Sequence, residues 1–262
     1  MKKARSWSIA LISGSILFLL GTTIWAEEDW NEFKGQHFLI YYQNAPLDFV
    51  RNVEESAENE YEEIARNMGF TRYEGWNWEK RAQIYIYDDQ EQYVASSNIP
   101  WSHGVALAQD KIIKTFPSAY GFFDSTLPHE LGHVIFREFV GYKAQIPLWL
   151  EEGVAMYQEK AKRWGANKSV QEAMKNKKFI PLPELTSGLL RGNPSQEAVQ
   201  LFYDESASIV YFMITELGEY RFVNFCRELR EGKKFEDALR EAYVRFQDMD
   251  DLNKVWEKYL MP

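Results

Sequence analysis

Cysteine is nearly absent from this chain of 262 residues, and the single Cys226 excludes a disulfide within one molecule. Cys226 lies in an apolar stretch with helical spacing, which is typical of a small core residue, and nothing marks it as a nucleophile. Aromatic residues make up 16% of the chain, enough for a sizeable core, and the sequence has neither repeats nor a low-complexity linker.

Positive charge is also scarce, with 30 Lys and Arg against 39 Asp and Glu and a net charge of −9. Three of these positive residues precede an apolar run at residues 7–25. The order predicts that residues 1–26 are a secretory signal or an uncleaved membrane anchor, because about 20 apolar residues can span a bilayer. Removing these three positive charges, and no acidic ones, takes the net charge from −9 to −12 for residues 27–262. Such an acidic exported domain is a poor candidate for binding nucleic acid, which requires a basic face.

Histidine is limited to four residues, and two of them belong to the segment His129-Glu130-Leu131-Gly132-His133, an HExxH motif. On a helix, His129 and His133 lie on one face and can bind one metal ion together. Glu130 lies about 100° round the helix, where it can reach a water on that metal but is poorly placed to ligate it. The alternative is an amphipathic helix with two ordinary surface histidines.

No histidine follows His133, which excludes the zinc peptidases whose third ligand is a His in an H-x-x-G-x-x-H sequence. The other common third ligand is a Glu on a following helix. Residues 147–159 contain the candidates Glu151 and Glu152, for which a solvated pair of glutamates is the alternative interpretation.

Residues 149–159 have the pattern W-L-x-E-G-x-A-x-Y-x-E, which resembles the second zinc-binding segment of aminopeptidase N-like gluzincins and of the smaller peptidase MA-like proteins. In that family eighteen residues separate the second His from the Glu, and eighteen residues lie between His133 and Glu152. The resemblance implies that His129, His133 and Glu152 hold one Zn²⁺ per chain. It also implies that Glu130 is the general base for a zinc-activated water.

The same resemblance implies an oxyanion stabiliser, a tyrosine that opens a later helix. Tyr203 occupies that place in a Y-x-x-S sequence and is the expected catalytic tyrosine, although a plain packing role remains open. Tyr211 is the second choice. Glu159, two helical turns after Glu152, is expected either to orient a ligand histidine or to be solvated. His103 is expected to be a surface histidine, with a substrate contact as the alternative.

One departure from the aminopeptidases bears on the kind of cleavage. They carry a G-x-M-E-N segment whose Glu binds the free amino terminus of the substrate. The corresponding residues 104–109 read Gly-Val-Ala-Leu-Ala-Gln and contain no Glu. Without a carboxylate to bind an ammonium group, we expect an endopeptidase that acts on a peptide or protein substrate.

Strand patterns at residues 37–42, 83–87, 104–108 and 111–115 come before a largely helical region from residue 125 onward, which includes a helix over 196–217. This order predicts an α+β fold. The resemblance implies a zincin-like arrangement, with a small N-terminal sheet over the HExxH helix and a helical C-terminal lobe. The expected domain covers residues 27–262, with a sheet-rich lobe at about 36–120 and a helical lobe at about 125–260.

The leading hypothesis is therefore a zinc-dependent metallopeptidase. It would be exported to the periplasm or the extracellular space, either released or held at the membrane through residues 7–25. Two alternatives stay open: a non-catalytic binding or assembly protein of the cell envelope that keeps the fold, and a zinc hydrolase that acts on a non-peptide bond.

Overall fold

The computed structural model describes residues 30–70, 80–100, 102–117, 121–187 and 194–261, apart from the side chains of residues 161–164. The expected signal or anchor at residues 1–26 lies outside this part of the chain. Of the helices that are described, none combines the length and the apolar character needed to cross a bilayer.

A five-stranded sheet is formed by β1 (Asn31–Lys34), β2 (Phe38–Tyr42), β3 (Ala82–Ile86), β4 (Gly104–Leu107) and β5 (Ile112–Thr115), in the order β1-β2-β3-β5-β4. The three inner strands are parallel, and β1 and β4 join them antiparallel at the two edges. A short 3₁₀ turn, Ala108–Asp110, connects β4 to β5. The edge strand β4 packs against the helix that carries the HExxH motif.

Helices dominate the described part of the chain outside the sheet. They are α1 (Leu47–Asn67), α2 (Gln90–Ser97), α3 (Leu127–Val140), α4 (Leu148–Gln158), α5 (Lys160–Lys175), α6 (Leu182–Ser187), α7 (Gln196–Tyr211), α8 (Glu219–Arg230), α9 (Phe235–Ala242) and α10 (Met249–Leu260). Two π-helical turns adjoin them: Phe122–Thr126 leads into α3, and Phe212–Glu216 continues α7.

Alternation along the inner strands explains how the sheet packs. Phe38 and Ile40 on β2 and Ala82, Ile84 and Ile86 on β3 are all completely buried. Side chains two residues apart on a strand point to the same face, so these residues form one apolar surface. The amphipathic α1 packs against β2 and α3, which joins the sheet to the helical region through one continuous core.

The close contact between α4 and α7 depends on Gly153. A Cβ atom at this position would overlap the backbone carbonyl oxygen of Ser206 on α7. Only glycine therefore allows the two helices to approach this closely. The neighbouring Trp149 is completely buried, and its indole N–H donates a hydrogen bond to the Thr186 hydroxyl at 2.9 Å, which fixes the start of α4.

The α+β fold expected from the order of patterns is confirmed. The expected strands and the HExxH helix lie within about two residues of their observed positions. The helix expected over 196–217 is wrong in one respect, because its last turn is π-helical rather than α-helical. Strand β1 and helix α6 were not part of the sequence-based expectation. The domain limits stay predictions.

Candidate active site

Helix α3 presents the HExxH motif to a cleft. Pro128 lies in its first turn, where a missing backbone N–H costs nothing, and Gly141 ends it with a φ of 85°. The apolar side of the helix, including Leu131, Val134 and Phe136, is completely buried. The remaining face carries both motif histidines, whose side chains are partly exposed.

Helix α4 brings Glu152 to these histidines. The Nε2 atoms of His129 and His133 lie 3.1 Å apart, and Oε2 of Glu152 lies 3.7 Å from each of them. Ligand atoms about 2.0–2.2 Å from a tetrahedral zinc ion are roughly 3.4 Å from one another, so the three atoms match the spacing of a zinc site. Within the described ranges, this is the one group of three His, Cys, Asp or Glu residues arranged to hold a metal ion.

The adjacent Glu151 has a different partner. Its two carboxylate oxygens accept hydrogen bonds from Nε and Nη2 of Arg137 at 2.7 and 2.5 Å. Arg137 also donates to the carbonyl oxygen of Ala144 at 3.2 Å. This two-pronged ion pair connects α3 to α4 and explains physically why Glu152, and not Glu151, faces the histidines.

Glu159 holds His129 from the other side of its ring. Its Oε1 lies 3.0 Å from Nδ1 of His129, and its Oε2 accepts a hydrogen bond from the Ser125 hydroxyl. Only 2% of the Glu159 side chain is exposed, so the solvated alternative for this residue is wrong. Because a carboxylate only accepts hydrogen bonds, Nδ1 is the ring nitrogen that donates to Glu159, and Nε2 is the nitrogen that faces His133 and Glu152.

Glu130 is buried between α3 and β4. Its carboxylate interacts with the backbone N–H of Ala106, and burial raises its pKa. Gly104 makes this approach feasible, because a Cβ atom there would clash with the Thr126 side chain and come close to Glu130. A carboxylate with a raised pKa in a cleft is suited to accepting a proton.

Burial is the largest influence on the pKa values of Glu152, His133 and His129. Burial raises the pKa of Glu152 to about 7 and lowers the pKa of His133 to about 3. For His129, burial opposes the charged form, but the hydrogen bond that the ring donates to Glu159 and the charges of the surrounding carboxylates outweigh it and raise the pKa. A bound divalent cation would favour the ionised carboxylate of Glu152 and neutral rings of both histidines, which is the state a zinc ligand requires.

Tyr203 faces the same cleft from α7. Burial, reinforced by the charges of Glu152 and Glu130, raises its pKa to about 12, so its hydroxyl stays protonated near neutral pH. Within the part of the chain that the structure describes, this hydroxyl has no hydrogen-bond partner. Tyr211 does not line the cleft and packs near Tyr157, with ring centroids 6.3 Å apart.

The cleft has a volume of about 800 Å³. Its walls are the edge strand β4, helix α3, the first turn of α4 and the first two turns of α7. It contains every sequence-predicted site residue, namely His129, Glu130, His133, Glu152 and Tyr203. His103 is exposed and lines the cleft as well, so both interpretations of this histidine describe part of its position.

Sequence reasoning missed Ser125 and Arg137. Both contact partners far along the chain, 34 residues away for Ser125 and 14 for Arg137. A weak signal existed for Ser125, which lies four residues before His129 and therefore on the same helical face. No local pattern marked Arg137.

Comparisons with known proteins give the family and the fold of the chain. The sequence model of a family described as the Peptidase MA superfamily matches residues 68–262. None of the curated proteins compared with the chain matches it. The fold is similar to that of native yeast LTA4 hydrolase, with a TM-score of 0.52 and 16% sequence identity. The similarity covers 89% of this chain and 39% of that chain, so the chain spans about two fifths of the other's length. It concerns the fold alone and confirms the expected zincin-like arrangement.

Proposed function

The chain belongs to the Peptidase MA superfamily, and from this premise we propose that it is a zinc-dependent metallopeptidase. One observation carries the proposal: two histidine nitrogens and a Glu152 oxygen converge at 3.1–3.7 Å in a cleft that also contains the buried Glu130. These are the ligand types and the base that hydrolysis at zinc requires. The expected resemblance to peptidase MA-like gluzincins is confirmed by the family match.

His129, His133 and Glu152 would hold the zinc ion. When bound, zinc lowers the pKa of a coordinated water to about 7 and polarises the carbonyl to be attacked. Glu130 takes the proton as the water attacks and passes it to the leaving nitrogen. Its burial supports this role, because the raised pKa brings the carboxyl group closer to the operating pH.

Tyr203 would donate a hydrogen bond to the oxygen of the tetrahedral intermediate. Its hydroxyl lines the cleft and remains protonated because burial raises its pKa to about 12. A donor aimed at the developing negative charge typically contributes about 10²–10³-fold to the rate.

An endopeptidase is the form of the enzyme that the cleft supports best. The acidic residues that line it in the described chain are Glu130, Glu151, Glu152 and Glu159, and each of them already has a partner or a proposed role. None is left to bind the ammonium group of a free amino terminus. The edge strand β4 lines the cleft, and an edge strand suits an extended stretch of polypeptide added as a further strand.

The test uses the purified full chain, with metal analysis and digestion of a mixed denatured-protein substrate. Wild type is compared with Glu130→Gln and with Glu172→Gln, a matched control on an exposed part of α5. We expect one zinc per chain in all three, and cleavage by the wild type and the control only. Loss of the base should lower the rate by at least about 10²–10⁴-fold.

The products distinguish the alternatives. Internal cuts identify an endopeptidase, whereas stepwise loss of residues from one end contradicts that part of the proposal. Zinc in every variant without cleavage by the wild type favours the binding or assembly protein. Hydrolysis of small esters but not of peptides, lost in Glu130→Gln, favours the zinc hydrolase of a non-peptide bond.

We also propose that the domain works outside the cytoplasm. The basic start and the apolar run at residues 7–25 support export, and the acidic composition of residues 27–262 suits an aqueous exported domain without affinity for nucleic acid. Cell fractionation with external protease treatment tests this. A full chain found only in the cytosol would contradict it, and recovery with the membrane would identify an uncleaved anchor.

A further inference from the structure

Ser125 lies in the π-helical turn Phe122–Thr126, one helical turn before His129. We propose that Ser125 is a positioning residue for the metal ligand His129 and that it acts through Glu159. The inference rests on the proposed metal site and is independent of which bond the enzyme cleaves.

The carboxylate of Glu159 is held at both of its oxygens. Oε1 faces Nδ1 of His129 at 3.0 Å, and Oε2 accepts the hydrogen bond of the Ser125 hydroxyl. With one oxygen bonded, a carboxylate can still rotate about its last bond; with two fixed partners, its plane is set. A side chain that is 2% exposed cannot replace a lost partner with bulk water, so each hydrogen bond counts.

The backbone around Ser125 places its hydroxyl for this purpose. The backbone N–H groups of Ser125 and Thr126 both donate to the carbonyl oxygen of Gly121, at 2.9 and 3.2 Å. This turn, together with the four-residue spacing, puts Ser125 and His129 on the same side of the helix, facing one carboxylate. Glu159 itself lies at the junction of α4 and α5, so the three residues tie the start of α3 to the far end of α4.

Ser125 and Glu159 affect the metal site through the orientation of the His129 imidazole ring. The hydrogen bond from Nδ1 to Glu159 fixes both the tautomer and the orientation of the ring, so that Nε2 faces His133 and Glu152. If the Ser125 hydroxyl is removed, Oε2 of Glu159 loses this hydrogen bond and the carboxylate is held less firmly beside His129. Ligand geometry would then be less well preorganised, and zinc should bind more weakly.

The experiment measures the zinc dissociation constant of the purified full chain by competition with a chelating dye, together with the visible absorption spectrum of the cobalt-loaded protein. The variants are Ser125→Ala, Ser125→Thr, Glu159→Ala and the double variant Ser125→Ala/Glu159→Ala, since alanine removes both contacts of the carboxylate. Ser102→Ala is the matched control, because Ser102 lines the same cleft and bonds to Gly104 instead of Glu159.

Loss of an outer partner of a ligand histidine typically weakens metal binding by about 10–100-fold. We expect Glu159→Ala to fall in this range, Ser125→Ala to weaken zinc binding by roughly 10-fold, and Ser125→Thr to keep the wild-type affinity because it keeps the hydroxyl. The cobalt spectrum should change in Ser125→Ala and not in the control. Because Ser125 acts through Glu159, the double variant should bind zinc no more weakly than Glu159→Ala alone.

An unchanged dissociation constant in Ser125→Ala, or losses that add in the double variant, would overturn the positioning role. If Ser125→Ala does not fold, as judged by circular dichroism, Ser125→Cys replaces it: a thiol is a poor donor of similar size, and the same loss is expected. Failure of the wild type to bind zinc would overturn the metal site and this inference together. Normal zinc binding without peptidase activity would leave this inference intact and count only against the proposed function.

Discussion

Two buried glutamates, Glu152 and Glu205, are similar in their titration and differ in their surroundings. Burial raises the pKa of Glu152 to about 7 and that of Glu205 to about 8. Glu152 lines the cleft and lies 3.7 Å from each of two histidine nitrogens. Glu205 is completely buried on α7, where one oxygen accepts the backbone N–H of Ile180 at 2.9 Å and the other has no partner among the described residues.

The comparison shows that a perturbed pKa does not by itself identify a functional group. Burial raises both values, because a charge removed from water is costly. What marks Glu152 is the convergence of other donor atoms on an accessible cleft. Glu205 is instead a neutral acid enclosed in the helical packing, two residues after Tyr203 in the chain and outside the cleft.

The largest expected effect separates Glu152 from its neighbour. Glu152→Gln removes a direct zinc ligand, so we expect a loss of affinity well beyond the roughly 10–100-fold that follows loss of an outer partner. Glu151→Gln keeps the ligand set and should bind zinc with a much smaller loss, since it weakens only the contact with Arg137. Equilibrium competition for zinc measures both, and equal losses would mean that the ligand assignment is wrong.

A pH experiment tests the interpretation of Glu205. Its folded-state pKa of about 8 lies above the ordinary value of 4.5, so its favourable contribution is complete below about pH 4.5 and is lost as the pH rises towards 8. Glu205→Gln keeps an acceptor for the Ile180 N–H and cannot ionise. Between pH 5 and pH 8, we expect the free energy of unfolding of Glu205→Gln to rise relative to that of the wild type by on the order of 3–5 kcal/mol.

Urea unfolding of the zinc-loaded proteins at pH 5 and pH 8 measures this change. If the free energy of unfolding changed by the same amount between pH 5 and pH 8 in the wild type and in Glu205→Gln, Glu205 would titrate normally. In that case the contrast with Glu152 would lose its physical basis.

Packing beside the cleft is tested with two glycines in helices. Gly153→Ala would force a methyl group into the Ser206 carbonyl oxygen, so we expect a loss of about 1–3 kcal/mol and lower activity as α7 and Tyr203 move away. Gly165→Ala meets nothing within 4 Å and should stabilise α5 by about 0.5–1 kcal/mol. Thermal unfolding compares the two, and a neutral Gly153→Ala would mean that α4 and α7 can separate without cost.

The smallest expected effect concerns two arginine–carboxylate pairs. Arg137→Lys keeps the charge beside Glu151 but loses the two-pronged hydrogen bond, so zinc affinity should fall only a few-fold, roughly 2–5-fold. Arg240→Lys alters an exposed pair with Asp237, far from the ligands in the chain, and should leave zinc affinity unchanged. The same dye competition measures the zinc dissociation constants of both variants. Equal dissociation constants would mean that Arg137 does not align α3 with α4.

Local patterns were sufficient for part of this site. The four-residue spacing of His129 and His133 follows from helix geometry, and the resemblance assigned Glu152 through the eighteen-residue interval. Strands with alternating apolar residues and long amphipathic helices were also predictable, because each imposes its own periodicity on the sequence.

The remaining features depend on tertiary contacts. The partners of Glu159 and Glu151 come from helix packing, which no local pattern encodes. Strand β1 is short and polar, so it carries no apolar alternation, and it forms because β2 offers a paired edge. The π-helical turn before α3, which places Ser125, likewise has no signature in composition. Its significance becomes visible only once Glu159 is beside it.

The zinc site of His129, His133 and Glu152 is tested most directly by anomalous X-ray diffraction at the zinc absorption edge from crystals of the zinc-loaded chain. We predict one strong peak, about 2.0–2.2 Å from Nε2 of His129, Nε2 of His133 and a carboxylate oxygen of Glu152. A peak bound by other residues, or no peak in protein shown to contain zinc before crystallisation, would contradict it.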